Sequence, residues 1–174
     1  MPHSEIPVIE TDRLILRGPS PDDYPDFEVL FRSRQSRFMG GPLNEYETWM
    51  LYAAEMGHWQ IRGFGMWAIT ERGSDHSLGM AGGWFPAGYP EREIAWMIWP
   101  GVEGRGIALE AVTATRDYFF DQLGWDGAVS YLDPHNIRSV DLALRMGAVL
   151  DPQAPTIDSH DVVYRHRPTD PEAA

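Results

Sequence analysis

The chain has 174 residues, no cysteine, and 26 acidic against 14 basic side chains, a formal charge of −12. Such a length suits one domain with a core that needs no staples, and the missing cysteines exclude thiol catalysis, disulfides and cysteine-held metals, leaving the cytoplasm as the expected compartment. The negative balance, with no local basic patch, opposes nucleic-acid phosphates and anionic membranes; it suits a cationic small molecule or peptide amine and equally serves solubility.

The opening M-P-H-S-E-I-P has no basic region ahead of an apolar run, and no apolar stretch is long enough to span a bilayer, so no membrane partner is expected. Residues 11–17, T-D-R-L-I-L-R, read as a first strand ended by Gly18-Pro19. Ser20-Pro21-Asp22-Asp23 then supplies a cap, a proline at the first helical position and first-turn acids, with Tyr24, Phe27 and Phe31 along one face of a first helix. Met39-Gly40-Gly41-Pro42 breaks the chain. Asn44 and Glu47 form an Asn-x-x-Glu start signal, and Trp49, Tyr52, Ala53, Met56 and Gln60 give residues 45 to about 61 as a second helix whose aromatic stripe is read as core.

From Gly65 the period changes. Residues 66–70 and 78–85 are strands about a G-S-D-H turn, and residues 93–99 are the third strand of an antiparallel meander. Both alternating sets of that strand, Ile94/Trp96/Ile98 and Ala95/Met97/Trp99, are apolar, which places it mid-sheet with both faces covered. Residues 106–123 are the strongest helix: Ile107, Ala111, Ala114 and Tyr118 form one row, Ala108, Val112, Thr115 and Phe119 the next, and Gly124 stops it. Residues 127–132 follow as a strand, then residues 136–146 as a shorter helix with Ile137, Val140 and Leu144 inward and Gly147 at its end; residues 148–150 and 161–167 are the last strands. Residues 1–168 then make one domain, with a mobile tail over 169–174.

The stretch E-I-A-W-M-I-W-P-G-V-E-G-R-G-I-A-L-E-A, from Glu93 to Ala111, runs from strand through a glycine-bearing turn into the long helix. The first N–H groups of a helix lack partners and carry the positive end of its dipole, and Gly104, Gly106 and Ala108 leave room for a diphosphate to approach them. A P-loop would end in Gly-Lys-Ser/Thr, but Ile107 follows Gly106; a Rossmann turn would need a third small residue where Leu109 stands. Turning the chain remains the plain reading of both glycines. The six histidines, His3, His58, His76, His135, His160 and His166, show no metal-ligand spacing, so no metal is expected.

The segment resembles the acyl-CoA motif of the GNAT superfamily of N-acetyltransferases, Gln/Arg-x-x-Gly-x-Gly/Ala, on Glu103, Gly106 and Ala108, with Glu110-Ala111 continuing an Ala-x-Glu-Ala run. T-D-R-L-I-L-R is similar to the opening strand of the branch that includes the ribosomal-protein N-terminal acetyltransferases. D-P-H-N-I-R-S-V-D-L-A-L-R-M-G-A is similar to that branch's Asn-x-x-Ser, helix and Gly-Phe, matched by Asn136, Ser139 and Gly147 but with Ala148 for the Phe. The resemblance implies an α/β (α+β) GNAT-like fold, a mixed, mostly antiparallel central sheet flanked by helices and splayed at the acyl-CoA site. It implies acetyl-CoA as co-substrate, held along Trp96, Met97, Ile98 and Trp99, by Glu103, Gly104, Arg105, Gly106, Ile107 and Ala108, and by Asn136 and Ser139. The implied reaction is acetyl transfer to a primary amine of a small molecule, peptide or protein N-terminus by direct attack.

Glu103 replaces the usual Gln or Arg and brings a negative charge toward a diphosphate, so its side chain should point away. Many members carry a Tyr at the position of Ala143 to protonate the leaving thiolate; here Ser139 is the closest motif-matched acid, or else an exposed helix residue. Asn136 is both a helix cap and a cofactor contact. Glu93 opens the central strand where the family often places a base acting through water; its plain reading is a strand-end acid facing solvent. A strand N–H between Trp96 and Trp99, freed by a bulge or splay, would stabilise the carbonyl oxygen. Trp84, Phe85, Tyr89 and Trp96 are core or border the acceptor pocket. Glu103 and Ala143 also suit a non-catalytic acyl-CoA sensor, and an edge strand or the apolar part of residues 78–85 could pair two copies as a homodimer.

Overall fold

The computed structural model describes residues 5–168, so the expected tail lies outside the described residues. Two short strands, β1 (Ile9–Glu10) and β2 (Leu14–Arg17), form a hairpin. The first strand of the sequence reading thus begins later than Thr11, because Thr11 closes the turn: its N–H donates to Leu14 O at 3.0 Å, and its Oγ1 accepts from Leu14 N at 3.0 Å. A 3-10 turn, Pro21–Asp23, leads into α1 (Tyr24–Phe31), with Phe27 and Phe31 buried as their spacing requires. Arg34–Phe38 is a further 3-10 turn, too short to show a period in the sequence.

Helix α2 (Glu45–Arg62) opens on the capping box foreseen at Asn44: Glu47 N donates to Asn44 Oδ1 and Asn44 N to Glu47 Oε2, each at 2.9 Å. Its buried face differs from the apolar stripe. Trp49 is 56% exposed and Ala53 and Gln60 are exposed, whereas Thr48, Tyr52, Glu55, His58 and Trp59 are buried. Both ring nitrogens of His58 are satisfied by chain outside the helix: Nε2 accepts from Phe85 N at 2.8 Å while Nδ1 lies 2.6 Å from Phe64 O, which makes the ring the neutral Nδ1–H tautomer, and burial lowers its pKa.

The strands β3 (Met66–Glu71), β4 (Ser77–Trp84) and β5 (Glu93–Ile98) form the meander, followed by α3 (Ile107–Asp121), β6 (Ala128–Leu132), α4 (Ile137–Arg145), β7 (Val149–Leu150) and β8 (Val162–His166). One eight-stranded sheet results, in the order β1-β2-β3-β4-β5-β6-β8-β7. All pairs are antiparallel except β5 with β6. On one face α3 packs Ile107, Ala111, Val112 and Phe119 against Leu16, Trp67 and Ile94; on the other, α1 and α2 pack Phe27, Phe31 and Tyr52 against Met66, Met80, Met97 and Trp99. β4 is an interior strand, and residues 78–83 are buried within the sheet and its two layers, whereas Trp84 and Phe85 are half-buried. In α4, Ile137 and Leu144 are 69% and 53% exposed, so the inward face is instead carried by Ala143 with Val140 beside it. Among the described residues no helix is long and apolar enough to cross a membrane.

The opening of this sheet follows from one junction. β5 and β6 pair only at Glu93 with Val129. One residue further, Ser130 Oγ takes the Ile94 carbonyl at 2.6 Å and is bonded in turn to His166 Nε2 at 2.9 Å, replacing main-chain pairing by a side chain. Trp99 N donates to Leu78 O, so by the alternation of an antiparallel ladder Ala95, Met97 and Trp99 turn their main-chain groups toward β4, and Ile94, Trp96 and Ile98 turn theirs toward β6. Beyond Ile94 no β6 residue meets them. The N–H groups of Trp96 and Ile98 therefore face the gap, freed by the splay; the ladder to β4 is regular throughout, and the sheet's register shift lies in β3, between Ile69 and Thr70.

Candidate functional site

Two joined spaces open along this gap. One, of about 860 Å³, runs from β5 past residues 102–109 to α4; the other, of about 490 Å³, lies between β5, β6, α2 and residues 157–161. They meet at Trp96, Met97, Asn136 and Ser139, with Arg37 to Met39 over the junction.

The head of α3 forms one wall of the larger cleft. Gly101, Gly104 and Gly106 have φ of 86°, 81° and 74°, left-handed values that only glycine adopts without strain, so the chain can double back and present its main chain. The first helical bond is Glu110 N to Gly106 O, which leaves the N–H groups of Ile107, Ala108 and Leu109 without helical partners where these residues line the cleft. Behind the loop, Arg13 Nε donates to Glu110 Oε2 at 2.6 Å and its Nη1 to Arg105 O at 3.0 Å, while Thr11 Oγ1 donates to Glu110 Oε1 at 2.6 Å. Glu110 is thus a brace between the hairpin and the glycine loop. The Glu103 carboxylate folds onto its own loop, accepting from Gly101 N at 2.9 Å, and Arg105 is paired with Glu71 on β3.

Trp96, Met97 and Ile98 line the cleft, Trp96 and Ile98 half-buried rather than covered because the sheet has parted there. Trp99 does not. Its ring is 2% exposed, its Nε1 donates to Ser77 Oγ at 3.0 Å and its N–H is used by Leu78, so it belongs to the core. Asn136 Oδ1 accepts from Ser139 N at 3.4 Å, capping α4 at the junction of the two spaces. Ser139 is half-buried and lines both, whereas Ala143 is fully buried against Ala148 and Tyr164 and brings no proton donor. The sequence reading missed Arg138 and Arg145, two turns apart on α4, which line the large cleft and make no side-chain hydrogen bond or ion pair among the described residues.

In the smaller cavity Glu93 is joined by Glu55, a residue the sequence reading passed over. Burial pushes both carboxyls up to about 8; for Glu55 the charge of Glu93 adds to this, while for Glu93 the Tyr131 main-chain N–H opposes it. Trp84, Tyr89 and Trp96 line the same cavity, but Phe85 faces elsewhere, under the Arg62 guanidinium. The signal for Glu55 was present in its spacing: it falls three residues after Tyr52 and four before Trp59, an acid on a buried face. Among the described residues no group of three or more potential metal ligands converges.

The raised carboxyl at Glu55 has a stability consequence whose sign is definite. Below about 4.5 the group is protonated whether the chain is folded or not; between about 4.5 and 8 the folded protein alone keeps its proton, so stability falls as pH rises, at roughly 1.4 kcal/mol per pH unit for one such site, and above 8 the contribution is lost. Glu55→Gln is expected to flatten that fall. Thermal unfolding from pH 5 to 9 checks this, with the variant melting above the native protein at pH 8; parallel curves would show that Glu55 ionises freely.

Residues 13–149 match the acetyltransferase (GNAT) domain family. The structure superposes on that of an acetyltransferase from Agrobacterium tumefaciens with a TM-score of 0.91 at 35% identity, covering 94% of this chain and 96% of that one. It shares its fold with a ribosomal-protein alpha-N acetyltransferase in complex with coenzyme A, at 19% identity, TM-score 0.71 and coverage of 92% and 98%. A microcin self-immunity acetyltransferase in complex with acetyl-CoA and AMP is similar at 15% identity, TM-score 0.66 and coverage of 90% and 93%. Sheet, glycine-headed helix and splay are those of an acyl-CoA-dependent acyltransferase. The chain belongs to the GNAT family, and it is an acetyl-CoA-dependent acetyltransferase.

Proposed function

We propose that the protein acetylates a primary amine by direct attack, with the acceptor in the smaller cavity and coenzyme A along the larger cleft. The observation that carries this reading is the meeting of the two spaces at Trp96, Met97, Asn136 and Ser139, with free strand N–H groups on one side and Glu93 on the other. The residues suit the cofactor on their own chemistry. A Cβ on Gly106 would come within 3.4 Å of Arg13 Nη2 and would force an L-residue into φ +74°, while the three unpartnered N–H groups beside it and the unpaired Arg138 and Arg145 oppose this chain's negative charge.

Acetyl-CoA supplies the activated acetyl group as a thioester. Glu93, with its carboxyl raised toward the working range, removes a proton from the acceptor ammonium. The amine nitrogen then forms its bond to the acetyl carbon as the carbon–sulfur bond breaks; its second proton ends on the departing sulfur, with Ser139, at the junction of the two spaces, as the motif-matched side-chain donor. The main-chain N–H groups of Trp96 and Ile98 face the gap where negative charge develops on the carbonyl oxygen. Because a thiol has a pKa of roughly 8.5, expulsion of the thiolate tolerates the missing tyrosine at Ala143.

Thiol release from acetyl-CoA against a panel of amines tests the reading. All 14 basic side chains are arginine, so the protein's own side chains contribute no amine background. Release dependent on added amine supports transfer to an amine; a thermal shift on coenzyme A with no release for any amine would overturn the amine as acceptor. Arg138→Ala together with Arg145→Ala is expected to raise the KM for acetyl-CoA about tenfold with kcat little changed, as two solvent-screened charge contacts of ~0.5–1 kcal/mol each imply.

A further inference from the structure

The cavity beside Glu93 is far more acidic than amine attack requires. Five of its lining residues are carboxylic acids, Glu55, Glu93, Asp133, Asp158 and Asp161, against one arginine, Arg37, and one histidine, His160. The deepest of them is built into the fold: Glu55, on α2, lines the cavity although it is only 4% exposed, and its buried Oε2 has no hydrogen-bond partner. A buried polar atom left unpaired is costly, and here a donor from the cavity is what would satisfy it.

The rim repeats the pattern. Asp133 accepts from the His135 N–H at 2.8 Å and its ring at 2.9 Å, and Asp158 from the His160 N–H at 3.0 Å, but the Asp161 side chain makes no hydrogen bond or ion pair among the described residues. Burial, and then the charges of Asp158 and Asp133, raise the Asp161 carboxyl, and the neighbouring His160 offsets only part of that rise. The aromatic residues Trp84, Tyr89, Tyr131 and Trp96 line the same cavity, and an aromatic wall suits a cation.

We propose that the acceptor is an aliphatic diamine or longer polyamine, one amine placed at Glu93 and Glu55 for acetylation while a second ammonium is held at the rim by Asp158 and Asp161. This rests on the reading of the protein as an amine acetyltransferase and adds the substrate class. The volume of about 490 Å³ is that of a small-molecule site. An alkyl ammonium, with a pKa near 10.4, must lose a proton before it can attack, and carboxyls raised by burial narrow the gap that this transfer has to cross.

Steady-state thiol release should be compared for diaminobutane, pentylamine, which has the same length with one charge fewer, and a neutral peptide bearing a free N-terminus. Diaminobutane is expected to show kcat/KM about tenfold or more above pentylamine, the equivalent of one well-placed charge contact. Asp158→Asn combined with Asp161→Asn, both on exposed or half-exposed loop, should bring that ratio toward one. Pentylamine or the peptide used as well as diaminobutane, or a ratio unmoved by the double variant, would overturn the diamine assignment and leave amine acetylation standing. Failure of all three amines to release thiol, with coenzyme A still raising the melting temperature, would overturn both.

Discussion

Gly106→Glu is expected to weaken coenzyme A binding about a thousandfold or more while leaving the sheet folded. Gly106 holds φ at +74°, which costs an L-residue roughly 1–2 kcal/mol and loosens the first turn of α3. Its Cβ would sit 3.4 Å from Arg13 Nη2, ordinary contact, so bulk alone does not decide the outcome. Charge does: a carboxylate at the head of α3, facing the same unpartnered N–H groups as a diphosphate, meets a like charge at an effective cost of about 4 kcal/mol at 4 Å, which is the thousandfold. Gly106→Ala separates the two causes, since it carries the strain without the charge and should lower the melting temperature while changing affinity less than about tenfold. Calorimetric affinity of Gly106→Glu equal to that of the native protein would remove the glycine loop from the cofactor site.

Glu93→Gln should cost about 10²–10⁴ in kcat with little change in the affinity for coenzyme A, the usual span for loss of a general base. The sign of its pH dependence follows from the raised carboxyl. The base works only when ionised, so kcat is expected to climb as pH rises through about 8, and the variant should lose that limb and keep only the ionisation of the acceptor. A full limb near 8 in Glu93→Gln would assign it to the substrate or to Glu55. Titration of the pair is shared, because each carboxyl is buried beside the other, and the limb belongs to the cavity as a whole.

The glycine loop and the helix starts were legible because their causes are local. Asn44 and Glu47 are three residues apart and cap each other whatever packs on the helix, and Gly104 and Gly106 mark left-handed backbone by their identity. Legibility failed where the same local pattern fits two environments. Trp49 and Glu55 lie on different sides of α2, and hydrophobicity alone sends Trp49 inward; the structure does the reverse, because Glu55 faces a cavity and His58 is satisfied by the chain at Phe64 and Phe85. Trp99 continues the apolar alternation of β5 without a break, yet its ring and N–H are committed to Ser77 and Leu78 while Trp96 opens to the gap.

By itself, then, the sequence determined the meander, the glycine-headed helix α3, the caps, and the motif that ties them to acyl-CoA, since each depends on φ preference, side-chain period or residues a few positions apart. Tertiary structure alone decided where the sheet opens, which acids share the cavity and how far their protons are held. The splay depends on β6 meeting β5 at one residue and on Ser130, 36 positions away, taking the Ile94 carbonyl. The acid pair depends on α2 bringing Glu55 to the cavity that Glu93 lines, and a carboxyl's pKa is set by that burial rather than by its neighbours in the chain.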